Sequence, residues 1–382
     1  MPNRTKTTDP ASAAHVTTRA SAAGTTRFAS RWQPTFVDDF FRTSQIGLKV
    51  SSLAVGTYLG DSDGDTDSLY VSAIRAAVTN GVNAIDTAIN YRCQRSERVI
   101  GRALQELIGE GVVRRDEVVI GTKAGYIPLD GSPPASREQY ELYVRREYLD
   151  RGVLRAADLV GGGHAITPAF LVDQLHRSMT NLGVQGVDYF YIHNPEQQLV
   201  AIPPSELSSR LRLAFEALES CVSRGEISAY GCATWHGLRL PAGSHGHLSL
   251  YELAGIATEV AGNDHHFRIV QLPINLTMSE AVRVSTPRDL KGRLVHVIDA
   301  ASDLGIDLVV SAPLLQGQLT QNLPKEIREL FGGGSDAQRA LAFVRTLPAV
   351  LTAAVGMKQV AHVRQNLDGL RARGTDSPYL DS

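Results

Sequence analysis

Four residues of this chain have types and positions that could work as one unit: Asp86, Tyr91, Lys123 and His193. Asp86 stands where the short apolar run Val82 to Ile85 stops, and Tyr91 lies in the polar loop that follows. Lys123 ends Val118-Val-Ile-Gly-Thr-Lys, and His193 ends Val187-Asp-Tyr-Phe-Tyr-Ile-His. Three of the four thus close buried-strand patterns, and in parallel α/β folds the carboxyl ends of strands are where chemistry is done. The types suit proton transfer at a carbonyl oxygen. A phenol can supply the proton if its pKa, about 10 unperturbed, is drawn toward neutrality. A buried ammonium within hydrogen-bond reach favours the phenolate. A carboxylate paired with that lysine keeps it charged, and an imidazole on the far side can orient the carbonyl or share the proton. Taken singly, each residue is more often half of an ion pair, a packing ring or a satisfied polar group. Their succession at neighbouring strand ends carries the reading.

The elements that must position them follow from periodicity. After the loop holding Tyr91, Ser96 has the capping chemistry of a helix start, with Val99, Ile100, Ala103, Leu104 and Leu107 at helical spacing behind it. From Ile46 onward, apolar runs of strand length alternate with helical patterns eight times, which predicts a parallel sheet long enough to close as a (β/α)8 barrel. Two segments exceed ordinary βα loops: 124–167, rich in tyrosine (Tyr126, Tyr140, Tyr143, Tyr148), and 315–338. Both are expected to lie over the barrel mouth, the first with local helix of its own. Residues 1–40 are expected to be a disordered tail, because its first 35 residues are Ala-, Thr-, Ser- and Arg-rich and hold few core formers; 41–382 form the barrel. Such acid-poor tails also resemble organelle transit peptides.

Composition bounds the rest. The 382 residues are 43% apolar and 20% charged, with a formal net charge of -2 that would not draw nucleic acid or anionic lipid. Three widely spaced cysteines argue against a disulfide framework and for a reducing, cytoplasmic setting. No apolar run reaches the ~20 residues of a membrane span.

Asp86-Thr-Ala-x-x-Tyr91 followed by Ser96-Glu-x-x-Ile-Gly-x-Ala-Leu104 resembles the aldo-keto reductase family, NAD(P)H-dependent (β/α)8-barrel oxidoreductases. Lys123, His193, Gln271 in Ile269-Val-Gln-Leu-Pro, and Gly356-Met-Lys-x7-Asn366 recur in the family's order, so that the resemblance runs from about Ile46 to Leu370. It implies reduction of an aldehyde or ketone, or the reverse, with Tyr91 as the acid–base residue, Lys123 tuning it, Asp86 holding Lys123 and His193 orienting the substrate. It also implies a nicotinamide cofactor, NADP(H) favoured over NAD(H). Gly56, Thr57 and Tyr58 would border it, and Thr234 and Gln271 would hold its carboxamide. Ser311, Leu314, Gly317 and Leu319 would line its pyrophosphate, and Gly356 would open the adenosine loop. Lys358 and His362 would face a 2′-phosphate, with Gln365 and Asn366 at the adenine. No Gly-x-Gly-x-x-Gly follows an early strand, which leaves a Rossmann site unsupported.

Two positions depart from the family. Ala233-Thr234 stands where Ser-Asn is usual, and Ser311 where many members carry an aromatic ring. His245, His247, His265 and His266 lack carboxylate or thiolate partners at ligand spacing and read as surface histidines, and no metal is expected. The partner is a small carbonyl or alcohol. Trp235, His236, Asn194 and Tyr126 are the candidate substrate residues and point to a semi-polar, ring-shaped or sugar-like molecule. Two rival readings remain: a Schiff-base barrel acting through Lys123, and a barrel that binds nucleotide without turnover. Neither oligomeric state nor the direction of the reaction is fixed by the sequence.

Overall fold

The computed structural model describes residues 19–285 and 291–372. The chain enters through a helix, α1 (Ala22–Trp32), and a two-stranded antiparallel ribbon, β1 (Phe41–Thr43) and β2 (Lys49–Ser51). Eight parallel strands follow: β3 (Leu53–Gly56), β4 (Ala84–Asp86), β5 (Val119–Ala124), β6 (Val187–His193), β7 (Ile227–Ala233), β8 (Phe267–Pro273), β9 (Asp307–Ser311) and β10 (Val350–Gly356). Each pairs with its neighbour in sequence and β10 returns to β3, so the sheet closes. The principal helices outside it are α2 (Gly64–Val78), α3 (Arg95–Gly109), α4 (Arg137–Val144), α5 (Pro168–Leu182), α6 (Pro204–Ser223), α7 (Leu250–Ala261), α8 (Glu280–Arg283), α9 (Val297–Leu304), α10 (Lys325–Leu330), α11 (Asp336–Arg345) and α12 (Val360–Asp368). The expected barrel is the observed one.

Strand alternation decides which side chains meet. Val119, Tyr189, Tyr191 and Ile269 belong to the cluster inside the barrel, whereas Ile120, Phe190, Ile192 and Val270 pack outward against the helices. With a period of two, the inner set continues to Lys123 on β5, His193 on β6 and Gln271 on β8. Ala84 on β4 carries the same face to Asp86. Gly121 gives Tyr191 its space, since a Cβ there would lie 3.2 Å from the ring. The candidate residues are thus the last inward positions of adjacent strands.

Three expectations need correction. The tail was expected to stay disordered through residue 40, yet α1 packs against the β1–β2 ribbon and the turn before β5. Ser21 caps it by accepting the Gly24 amide at 2.9 Å. Phe28 is buried beside Phe41, and Arg27 bridges Asp116 at 2.8 Å and Glu117 at 2.9 Å. Gly24 permits the approach, because a Cβ would sit 2.1 Å from the Asp116 carbonyl oxygen. The acids that pair with this acid-poor segment lie about ninety residues away, out of reach of a composition argument; residues 1–18 fall outside the described residues. Secondly, Ser96 does not cap α3. It is buried and donates to the Thr57 carbonyl at 2.7 Å, tying the helix to the end of β3. Thirdly, 124–167 carries its own helix α4, as expected, but Tyr143 and Tyr148 pack with Ile127, Val144 and Phe170 in a small separate core. From that tyrosine set only Tyr126 borders the mouth.

Asp307, at the base of β9, is buried and accepts the Gln45 amide at 2.8 Å. Burial raises its pKa to about 7. The folded state therefore holds a proton that the unfolded chain releases near 3.8, and stability falls as pH rises between these values. As pH rises from 5 to 8, wild-type Tm should fall relative to that of Asp307→Asn, because the variant lacks this titration while the other buried groups are common to both; scanning calorimetry of the pair across that range checks it.

Candidate active site

At the carboxyl ends of the strands lies a cleft of about 810 Å³. Its floor is a buried ion pair. Lys123 Nζ donates to Asp86 Oδ2 at 2.8 Å and to the Thr87 carbonyl at 2.7 Å, and the lysine is fully buried. Gln271 Nε2 donates to the other carboxylate oxygen of Asp86 at 2.7 Å. Two donors on one carboxylate fix its plane, and that plane fixes the ammonium. Above the pair, Lys123 Nζ stands 5.0 Å from the centre of the Tyr91 ring. His193 faces the same phenol edge-on, with ring centres 5.9 Å apart. All four residues proposed to act together are gathered within this one layer.

The backbone that presents Tyr91 is strained. Arg92, Cys93 and Gln94 have φ of 48°, 54° and 68°, three successive left-handed residues without a glycine, each of which costs on the order of 1–3 kcal/mol. Arg92 holds the turn: its buried guanidinium donates to the Asp61 carbonyl at 2.8 Å and pairs with Asp67 at 2.6 Å. Gln94 Nε2 adds a bond to the Leu129 carbonyl at 3.1 Å. The chain therefore reverses directly after Tyr91 and starts α3.

Electrostatics follow from burial. Burial raises the Tyr91 phenol well above its ordinary value, and the Asp86 carboxylate adds to the effect. The expected drawing-down by Lys123 is not found in this arrangement, since the ammonium spends its hydrogen bonds on Asp86 and Thr87. The phenol is thereby kept protonated. Burial also lowers Lys123, against the opposing pull of Asp86. His193 lies well below its usual value through burial and then the Lys123 charge, so it is neutral, and its Nδ1 has no partner.

Most of the expected cofactor and substrate positions border the cleft: Gly56, Thr57, Tyr58, Gln271, Ser311, Leu314, Gly317, Gly356, Lys358, His362, Gln365 and Asn366, together with Tyr126, Asn194 and Trp235. Three do not. Thr234 is buried with its hydroxyl unpartnered, Leu319 packs with Leu323 and Ala340, and His236 stands beside Gly246, outside the cleft lining. Thr234 follows the inward-facing Ala233 of β7, so strand alternation turns it aside. Gln271 lines the cleft, but its amide nitrogen is committed to Asp86. The histidine pairs are also not uniformly superficial: His265 is buried, and His266 Nδ1 lies 2.7 Å from Glu219.

Sequence reasoning missed two supporting groups. His164, in the long β5–α5 segment, is buried, with Nε2 2.8 Å from the His193 carbonyl oxygen and Nδ1 2.8 Å from Gln198 Nε2. Since the Gln198 amide nitrogen can only donate, its oxygen accepting from Arg210, Nδ1 accepts and Nε2–H donates to the His193 carbonyl. Burial lowers His164 to about 4, so it stays neutral. Glu196, also buried, accepts the amides of Trp235, His236 and Gly237 on one oxygen at 2.9, 3.2 and 3.3 Å. That clasp shapes the loop after β7. Neither residue sits at a strand end; the nearest signal was their place just beyond His193 or within the long loop.

With this geometry in view, residues 52–240 match the Aldo/keto reductase family. The chain belongs to the aldo-keto reductase family. It is 22% identical over 359 residues to a Schizosaccharomyces pombe protein named as a voltage-gated potassium channel subunit beta, covering 91% of this chain and 90% of that one. It is 24% identical over 200 residues to the aldo-keto reductase YhdN of Bacillus subtilis, covering 52% of this chain and 47% of the relative. Its fold is that of a Klebsiella pneumoniae aldo/keto reductase crystallised with NADP and acetate, with a TM-score of 0.57 at 20% identity, 86% of this chain and 89% of that chain being covered. Among the described residues no helix is long and apolar enough to cross a membrane.

The ion pair makes a stability prediction independent of activity. Lys123→Met leaves Asp86 buried without its cation and should cost about 3–5 kcal/mol, most of it recovered in Lys123→Met/Asp86→Asn. Urea denaturation of the two variants measures the difference.

Proposed function

We propose that this protein is an NADP(H)-preferring oxidoreductase that reduces an aldehyde or ketone, or oxidises the corresponding alcohol, in the cytoplasm. The observation that carries the reading is the buried Lys123–Asp86 pair beneath a protonated Tyr91, with neutral His193 across from it. A carbonyl oxygen entering between Tyr91 and His193 meets two groups able to donate a hydrogen bond. As negative charge develops on that oxygen, the Tyr91 proton passes to it and the phenolate left behind lies beside the Lys123 ammonium. That attraction is worth more in a dry site than in water. Asp86 and Gln271 keep the ammonium placed, and His164 fixes the backbone of His193.

The same cleft fits a dinucleotide. It runs from the catalytic layer past β9 to α12 and offers Lys358, His362, Gln365 and Asn366 along one wall. On the other lies Gln316-Gly317, whose φ values of 53° and 93° turn the chain and expose backbone. Lys358 and His362 would receive a 2′-phosphate, and a bound nicotinamide would supply the hydride. NADP in the Klebsiella pneumoniae relative supports this choice.

The rivals fare less well. Schiff-base chemistry needs an accessible amine, whereas Lys123 is fully buried and doubly hydrogen-bonded under Tyr91. A non-catalytic nucleotide sensor, the reading that the potassium-channel relative would favour, leaves the strained Tyr91 turn and the ion pair without purpose.

NADPH should quench protein fluorescence and raise Tm more strongly than NADH, with the preference lost in Lys358→Ala. Tyr91→Phe should retain NADPH binding and lose about 10²–10⁴-fold in kcat toward aldehydes. Tight binding with no turnover across a carbonyl panel would instead establish the sensor reading.

A further inference from the structure

We propose that the substrate of this site is an uncharged carbonyl compound built on a flat ring, an aryl aldehyde or aryl ketone rather than a sugar or a keto acid. The inference deepens the oxidoreductase reading and rests on it. Around the phenol, rings follow one another edge to face: Tyr58 to Tyr91 at 5.0 Å, Tyr91 to His193 at 5.9 Å, and His193 to Tyr126 at 5.2 Å. Trp235 adds a further wall of the same cleft. Such faces and edges stack a planar π-system better than a saturated one.

These walls are held in place by buried polar bonds. Glu196 clasps the amides at Trp235, and Asn194 Nδ2 donates to the Tyr126 hydroxyl at 2.9 Å. Tyr126 in turn stands edge-on to His164, 4.8 Å between centres, itself fixed through Gln198 and Arg210. A ring entering here finds its partners already ordered, so binding spends little on ordering them.

The polar groups argue in the same direction. The side-chain amide nitrogen of Asn194 is engaged with Tyr126, so it is not offered to a substrate hydroxyl. Hydroxyls of a polyol lying against these ring faces and edges would lack partners there, at a cost for each. Charge is excluded on the same ground. Among the described residues, the one lysine or arginine bordering the cleft is Lys358, before α12, and the Asp86 charge is neutralised by Lys123. An ionic substituent of either sign would lose water and gain no counter-ion.

The test compares kcat/KM of the full-length protein with NADPH for benzaldehyde, methyl 3-formylbenzoate, 3-formylbenzoate, 3-(trimethylammonio)benzaldehyde and glucose. The neutral aryl aldehydes should exceed both charged analogues by at least tenfold and glucose by more. Trp235→Lys should shift the ratio toward 3-formylbenzoate at least fivefold. Equal rates for charged and neutral rings, or preference for glucose, would overturn the proposal. Turnover of none of them would end the oxidoreductase reading, and the quench of Trp235 fluorescence, absent in Trp235→Phe, would then decide this one separately. Tighter quenching by the neutral aldehydes would uphold the ring site, and no quenching or no discrimination would sink it.

Discussion

The Lys123–Asp86 pair is the constraint around which the upper half of the barrel is arranged. A lysine with no exposed surface is tolerable only if its charge is matched and its protons are placed. Asp86 and the Thr87 carbonyl do both, and Gln271 holds Asp86 from the opposite side of the lumen. Three strands are thereby joined through side chains as well as through the sheet. Their last inward residues have little freedom left, and the rings above them inherit that rigidity.

Around this floor the protein uses backbone strain and long-range clasps where a regular element cannot deliver the needed direction. The left-handed run at Arg92, Cys93 and Gln94 is paid for by Arg92, whose guanidinium reaches back to the loop after β3. Glu196 does for the β7 loop what Arg92 does for the β4 loop, with charge and hydrogen-bond polarity reversed. In both cases a side chain ties one βα loop to its neighbour, the β4 loop back to the β3 loop and the β6 loop forward to the β7 loop. Function on loops carried by a rigid barrel is the general pattern of such folds.

The base of the barrel solves a different problem. It carries buried carboxylates, Asp188 and Asp307, which need partners. The entering segment supplies some of them: the Ala20 amide donates to Asp188 and the Gln45 amide to Asp307. Leu48 and Val50 of the ribbon join the inner cluster at the end of the barrel remote from the cleft, and α1 flanks them, its Arg27 and Arg31 pairing with the buried Asp116 and Glu117.

What the sequence determined by itself was everything with a local period or a local motif. Eight alternations specified the barrel, because a buried parallel strand and an amphipathic helix each write their pattern in consecutive residues. Asp86, Tyr91, Lys123 and His193 were legible for the same reason, since each is set at a strand end or in the loop directly after one. The tertiary structure decided what depends on pairs distant in the chain. It gave order to α1 through acids about ninety residues away, and it bound Gln271 to Asp86 across 185 positions. It turned Ser96 inward to Thr57, drew His164 behind His193, and set Thr234 and Leu319 away from the cleft. Such choices follow from which surfaces meet when the sheet closes, and closure is a property of the whole chain that no window of sequence contains.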